Sequence, residues 1–462
     1  MVELRLDELA ARMHGRILSG DPGRVIGRFG IDSRLTVPGE LFFAVRARRD
    51  GHDFIPQAAA RGAAGAVTSR DVPFPSGGFA LVRVDDTVAA LERLAKSALA
   101  AQPVKVVGIT GSVGKTTTKE FTASLLSRRF AVLKSEGNFN NNLGLALSLL
   151  RLEPAHEVAV LEMGTSGFGE ILALTRTAPP DIAVITNINP VHLEFLRDLE
   201  GVARAKKEIL EGTRQTGVAV LNADDPRVMK IGREWPGRRL TFGLGPEADV
   251  QASSIRRPGQ DGLTFELRHR GEKAEIRTAF FYEEYVSNLL AAAGVCAALD
   301  VPFEVIVEGA SGLRPLERRG SLVRLARGIR LVDDSYNSNP RALEAALRGL
   351  AALQAGRRVA ILGDMLELGA AEREFHLAAG RLVVESGWDI LIVVGTLGAL
   401  IAEGARAAGM DGRRVSVFPT AAAAAPGAAA LVHDGDLVLV KGSRGIHLDE
   451  IADRLRADSK ET

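Results

Sequence analysis

A chain of 462 residues exceeds what one core can enclose and implies roughly three domains. Hydrophobic residues at 46% and charged residues at 25% give the balance of a soluble globular enzyme. With 58 Lys+Arg against 57 Asp+Glu, the net charge of +1 offers no global field for nucleic acid or an anionic membrane, so any polyanion must be held at a local site.

Glu3, Arg5, Asp7 and Glu8 interrupt the first ten residues and exclude a signal-peptide apolar core, and no apolar run reaches bilayer length. A cytoplasmic location is expected. Residues 1–100 carry short strand signals at Leu41–Val45, Ala66–Thr68 and Ala80–Val84, and a Pro/Gly-rich loop at Val72–Gly78. A helical stretch, Val88–Ala101, ends at Gln102-Pro103, since the residue before proline resists helix. From Val104 the texture changes. Continuous apolar runs at Val104–Thr110, Val158–Leu161, Ile182–Thr186 and Val218–Leu221 alternate with helical patterns, as in a parallel sheet covered on both faces. Residues 249–278 alternate more and suggest antiparallel strands. A second parallel set follows at Ile329–Val332, Arg358–Leu362, Ile390–Val394 and Leu437–Val440. Cys296, the only cysteine, lies in the apolar run Leu289–Leu299 and reads as a small buried hydrophobe.

Open parallel sheets bind ligands beyond the carboxyl ends of their strands. There this sequence places Thr110-Gly111, Glu162, Thr186-Asn187, Asn222, Asp333-Asp334, Gly363-Asp364 and Lys441-Gly442. The run Gly108-Ile-Thr-Gly-Ser-Val-Gly-Lys-Thr-Thr117 joins an expected strand to an expected helix. Its glycines let backbone N–H groups approach phosphate, Lys115 reaches the β/γ-phosphates, and the Thr116 hydroxyl suits Mg²⁺. Thr110, Gly111, Ser112, Val113, Gly114 and Thr117 complete the expected nucleotide loop, in which Ile109 stands where the strict P-loop pattern has glycine. Glu162 offers a hard oxygen ligand to the same cation.

Further motifs carry a resemblance. Leu161-Glu-Met-Gly164, Thr186-Asn-Ile-Asn-Pro-Val-His-Leu-Glu194, Ala205-Lys-Lys-Glu-Ile209 and Gly137-Asn-Phe-Asn-Asn-Asn-Leu-Gly144, with the phosphate loop, are similar to the central domain of the Mur ligases. Asp32-Ser-Arg34, Gly39-Glu-Leu-Phe-Phe-Ala-Val45 and Asp50-Gly-His-Asp-Phe54 resemble that family's uridine-nucleotide domain. Asp333-Asp-Ser-Tyr-Asn-Ser-Asn-Pro340, Gly363-Asp-Met-Leu-Glu-Leu-Gly369, His376 and Lys441-Gly-Ser-Arg444 are similar to its D-alanyl-D-alanine-adding members.

The resemblance implies an α/β chain of three domains. These are an N-terminal mixed uridine-nucleotide domain (1–100), a central P-loop ATPase domain (101–312) and a C-terminal Rossmann-like domain (313–462). It implies an ATP-dependent ligase joining D-alanyl-D-alanine to UDP-N-acetylmuramoyl-tripeptide through an acyl phosphate, working as a monomer without nucleic acid or membrane. Lys115, His192, Lys206, Glu162 and Arg319 are the implied catalytic residues. Thr116, Glu162, His192 and Lys206 are the implied ligands of two Mg²⁺ ions, with Lys206 carbamylated; a solvated helix lysine is the alternative. Asn138, Asn288, Arg319 and Asp334 join the nucleotide set. Ser33, Arg34, Asn142, Tyr336, Asn337, Asn339, Lys441 and Arg444 are the implied substrate contacts, and Asn141 shares the Asn-rich loop.

Departures from the family pattern stand at Ala146 (usually Pro), Ser338 (Ala), Arg318 (Gly) and Glu284-Tyr285 (His-Asn). The last leaves Asn288 to read adenine, with Tyr285 expected to stack on the base. Two rivals are another ligase of the superfamily, which should lack the Asp333–Pro340 segment, and a P-loop switch, which leaves the outer segments unexplained.

Overall fold

A computed structural model describes residues 3–73, 78–257 and 262–459, so positions 74–77 of the expected Val72–Gly78 loop lie outside the described residues. Among the described residues the strands form three large sheets and one two-stranded pair. The chain divides into two compact units, Met1–Thr110 with Leu126–Val184 and Lys207–Ala219, and Gly111–Leu125 with Ile185–Lys206 and Val220–Thr462.

The first sheet orders its strands Arg16–Ser19, Ala80–Arg83, Gly65–Thr68, Glu40–Phe43 and Arg28–Gly30. Three of its four pairings are parallel, and the edge strand Arg16–Ser19 runs antiparallel to Ala80–Arg83, so the sheet is mixed. Phe42, Ala44, Ile55, Ala58, Ala66 and Leu81 form its core. The helix Thr87–Ala100 starts where the Asp86 carboxylate accepts from the N–H groups of Val88 (2.8 Å) and Ala89 (2.9 Å), satisfying two donors that a helix start leaves open.

The second sheet has nine strands among the described residues. Their order is Glu272–Arg277, Thr264–His269, Val250–Arg256, Arg238–Gly243, Val218–Asn222, Ile182–Ile185, Lys105–Thr110, Val158–Glu162 and Val132–Lys134. Val158–Glu162 pairs in parallel with Lys105–Thr110 and Val132–Lys134, whereas the strands at 250–277 pair antiparallel, as their alternation suggests. Val158–Glu162 is buried at every residue, which explains its unbroken apolar run.

The third sheet runs Ser321–Arg324, Arg330–Asp334, Leu437–Lys441, Arg358–Gly363, Ile390–Val394 and Val415–Phe418. It is parallel apart from the antiparallel edge Ser321–Arg324. The connection into this sheet is tied to the helix Asp449–Asp458. Arg318, held at φ +58° where glycine is the easier residue, reaches Asp449 (2.6 Å) and Asp453 (2.9 Å), and Arg456 meets the buried Asp333 at 2.6 Å.

Val132–Lys134, Arg238–Gly243 and Val415–Phe418 are strands without an apolar run to announce them. The first and last are short edges, and Arg238 and Arg239 open the other with exposed charges.

Cys296 is fully buried in the helix Glu283–Ala298, and burial pushes its thiol up to about 12. Almost no thiolate therefore exists at neutral pH. A thiol-specific disulfide reagent should label urea-unfolded protein and leave native protein unmodified; rapid labelling of the native form would show that this helix opens.

Candidate active site

The strand Lys105–Thr110 runs into a loop that the following segments hold from one side. Asn187 closes a reciprocal pair with Val113: its Oδ1 accepts the Val113 N–H (2.9 Å) while its Nδ2 donates to the Val113 carbonyl (3.0 Å). Thr186 adds a bond from its hydroxyl to the same carbonyl (2.7 Å), and Ser112 is bound through its N–H to the Asn187 carbonyl (3.0 Å) and through its hydroxyl to the Asn189 carbonyl (3.0 Å). The N–H groups of Ser112 and Val113 thus shape the loop from behind.

Gly111 (φ +145°) and Gly114 (φ +86°) are required sterically. A Cβ at the first would strike the Thr186 hydroxyl, and one at the second the Asn288 amide oxygen. Thr110, fully buried, has a hydroxyl without a hydrogen-bond partner among the described residues.

Lys115 stands where the loop passes into the helix. It is half-buried on the first turn of the helix Lys115–Leu126, and its ammonium folds back onto the carbonyls of Gly111 (2.8 Å) and Ser112 (3.2 Å). Thr116 and Thr117 follow it on the same turn. Asn288 lies against this loop, its Oδ1 accepting from the Thr118 hydroxyl at 3.3 Å.

His192 caps the short helix Leu193–Leu196 with a left-handed backbone (φ +51°). Burial pulls the imidazole below its ordinary range; Glu367, 2.7 Å from Nδ1, pushes it back, and Lys115 and Lys206 depress it further. Lys206, on the helix Leu199–Glu211, is only 1% exposed, so the solvated-lysine reading is wrong. Lys119, which sequence reasoning passed over, is fully buried with Glu120 at 3.1 Å.

In the other unit, Glu162 is 2% exposed at the end of its strand, and its Oε1 accepts from Asn140 Nδ2 at 3.0 Å. Asn140 also accepts the Gly164 N–H on its carbonyl (2.8 Å), so it pins the Asn-rich loop to the Glu-Met-Gly turn. Sequence reasoning missed it among its neighbours. Asn138 is exposed; Asn141 caps the helix Asn142–Leu149 by accepting the Gly144 N–H (2.9 Å); Asn142 donates to Glu92 (3.1 Å). Glu208, from the Ala-Lys-Lys-Glu-Ile run, accepts the N–H groups of Gly169 (2.6 Å) and Leu172 (3.1 Å) at the start of the helix Glu170–Thr177. Ser33 is buried and donates to Gln57 (2.7 Å), while Arg34 stands exposed beside Asp32 at 2.6 Å.

Around the third sheet, Tyr336 lies between two guanidinium groups: Arg319 at 3.9 Å and Arg444 at 5.0 Å from the ring centroid. Lys441 and Asp334, assigned from sequence to substrate and nucleotide, are buried and spent on each other at 2.6 Å. Burial pushes the Asp334 carboxyl upward, opposed by Lys441 and Arg319. Lys441 also donates to the Asn337 carbonyl (3.1 Å), and Asn339 caps the helix Pro340–Ala351 through Ala342 N–H (2.9 Å), which leaves the Asn337 side chain exposed between them.

These motifs have counterparts in known proteins. Residues 109–296 match the Mur ligase middle domain, and residues 318–444 match the Mur ligase glutamate ligase domain. The chain is 36% identical over 92% of both lengths to the UDP-N-acetylmuramoyl-tripeptide–D-alanyl-D-alanine ligase of Bacillus subtilis strain 168. The chain belongs to the Mur ligase family, in its D-alanyl-D-alanine-adding branch. Two solved structures agree. MurF from Acinetobacter baumannii superposes with a TM-score of 0.89 at 30% identity, covering 99% of each chain. MurF from Thermotoga maritima, in complex with ADP, gives 0.82 at 28% identity, covering 94% of this chain and 98% of its own.

Against the Mur ligase pattern, the Glu284-Tyr285 departure has a structural consequence. Tyr285 does not offer its ring to a base. It is packed with Phe280 (5.3 Å between centroids), Tyr282 (5.6 Å) and Phe121 (6.3 Å), and its hydroxyl donates to the Arg319 carbonyl. Tyr285→Phe keeps the ring and removes the hydroxyl. It should lower the urea-unfolding free energy by about 1 kcal/mol while leaving the ATP-over-GTP preference unchanged. A changed nucleotide preference would restore the base-stacking role.

Proposed function

We propose that this chain joins the amine of D-alanyl-D-alanine to the terminal carboxylate of UDP-N-acetylmuramoyl-tripeptide, converting ATP to ADP and phosphate. The observation that carries this reading is the likeness over 92% of both chains to a relative named for that activity. On this reading the work is cytoplasmic, where ATP is made available, and one copy of the chain suffices. Boundaries near residues 101 and 313 separate its three parts.

A carboxylate does not react with an amine at neutral pH because its leaving group is too poor. Transfer of the γ-phosphoryl group from ATP to a carboxylate oxygen makes an acyl phosphate, with ADP as the leaving group. The amine lone pair then attacks the carbonyl carbon, the amine loses a proton, and phosphate departs with the electrons of the C–O bond. Phosphoryl transfer asks mainly for positioning and charge neutralisation. Lys115 takes that role at the β/γ-phosphates: the carbonyls that hold its ammonium are weaker partners than a phosphate anion. Arg319, its guanidinium 3.9 Å from the Tyr336 ring centroid, is the second cation. Arg444 and Asn337 are the exposed groups of the third segment suited to peptide carboxylate and amide.

Among the described residues no group of three or more His, Cys, Asp or Glu side chains could hold a metal ion. A magnesium ion on a nucleotide is held mostly by phosphate oxygens and water, with few protein ligands. Thr116 and Glu162 would hold Mg²⁺ as hard oxygen donors, joined by His192. Bound there, two Mg²⁺ ions would neutralise charge on the phosphates. The near-complete burial of Lys206, close enough to bias His192, supports a carbamate: it would turn a buried cation into an anion.

Phosphate release should require both UDP-muramoyl-tripeptide and D-alanyl-D-alanine; release with neither would return the chain to the P-loop switch class. Lys115→Ala should abolish ligation with the circular-dichroism spectrum unchanged, and ligation near the wild-type rate would remove the phosphate-loop assignment. Lys206→Ala should be nearly inactive and regain activity with added short carboxylates that occupy the vacated anionic position. Full activity without them would end the carbamate reading.

A further inference from the structure

Glu367 belongs to no role assigned so far, yet the structure spends considerable constraint on it. It sits in the Gly363–Gly369 loop with φ +65°, a left-handed backbone that side chains other than Asn and Asp seldom adopt, and Gly369 repeats the feature at +60°. The loop is held firmly. The fully buried His376 accepts the Met365 N–H on Nε2 (2.9 Å), the Leu366 N–H donates to the Ser443 hydroxyl (3.0 Å), and the Ser443 N–H donates to the Asp364 carbonyl (3.0 Å). From this support the Glu367 carboxylate reaches His192 Nδ1 at 2.7 Å, an ion-pair distance with the ring N–H off the line of an ideal hydrogen bond. At that separation the carboxylate restricts how the imidazole ring can turn.

We infer that Glu367 is a positioning residue for the ligase reaction: it fixes the orientation of the His192 ring. The inference rests on the ligase reading above. His192 feels both Lys115 and Lys206, so the ring that Glu367 orients stands among the charges of phosphoryl transfer. Carboxylate–histidine pairs of this kind set ring basicity and direction. They act on turnover more than on the affinity of a substrate held elsewhere.

The test uses Glu367→Gly, which suits a left-handed backbone and removes only the side chain, and Glu367→Gln, which retains an acceptor without charge. Glu367→Gly should lower kcat about 10-fold with KM for both peptide substrates within about twofold, and Glu367→Gln should recover part of the loss. In a His192→Ala background, Glu367→Gly should cost nothing further, because a residue acting through another loses its effect with it. The ¹⁵N signals of His192, one of eight histidines, should shift in Glu367→Gly. Wild-type kcat in Glu367→Gly, an additive double variant, or unmoved imidazole signals would each overturn the assignment. A wild-type enzyme that forms no product would instead refute the ligase reading, and the imidazole signals would still decide whether Glu367 orients His192.

Discussion

The reciprocal amide pair between Asn187 and the Val113 backbone is the constraint on which the site depends. A loop that must bring main-chain groups to an anion cannot fill its concave side with side chains, so it has to be held from behind. Asn187 does this with both ends of one amide, and Thr186 and Asn189 secure its neighbours. The glycines at 111 and 114 are the other half of the same requirement: the holding residues come so close that no Cβ fits. Shape here comes from hydrogen bonds made before any ligand arrives, which lowers the reorganisation needed when charge moves.

Charge placement follows a second logic. Lys206 and Lys119 are buried, as is Lys441, and an isolated buried ammonium is expensive. Lys441 meets that cost with Asp334 and a carbonyl. The pair therefore orders the Asp333–Pro340 segment from beneath and leaves the exposed Arg444 and Asn337 to face solvent. A polar segment that sequence reads as uniformly functional is thus divided between residues that build the turn and residues that stand free above it.

Much of the fold was legible because its central strands are buried on both faces and must be apolar throughout; Val158–Glu162 and Ile390–Val394 needed no further signal. Short edges such as Val132–Lys134 and Val415–Phe418 carry no such obligation and were invisible. The phosphate loop was legible because glycine spacing is a backbone requirement written directly in sequence. Tyr285 and Glu367 were not. An aromatic residue near an expected adenine site invites a stacking role, and only packing shows its faces covered. Glu367 meets His192 from 175 positions away in the chain, and no local pattern marks such a pairing. Asn140 was hidden by its neighbours, since four asparagines in five positions give no hint which one turns toward Glu162.

The tie between Arg318 and the helix Asp449–Asp458 carries a consequence for the order of events during synthesis. Arg318 leaves the ribosome 131 residues before Asp449 and 135 before Asp453, and Asp333 emerges 123 residues before Arg456. At about 5–20 residues per second, those partners are separated by roughly ten seconds of translation. The nucleotide loop and its Asn187 brace are complete long before, so the nascent chain can shape a phosphate site while the connection to the third sheet is still unanchored. Its last helix then fastens that connection to the third sheet, so this part of the chain is completed only late in its own synthesis.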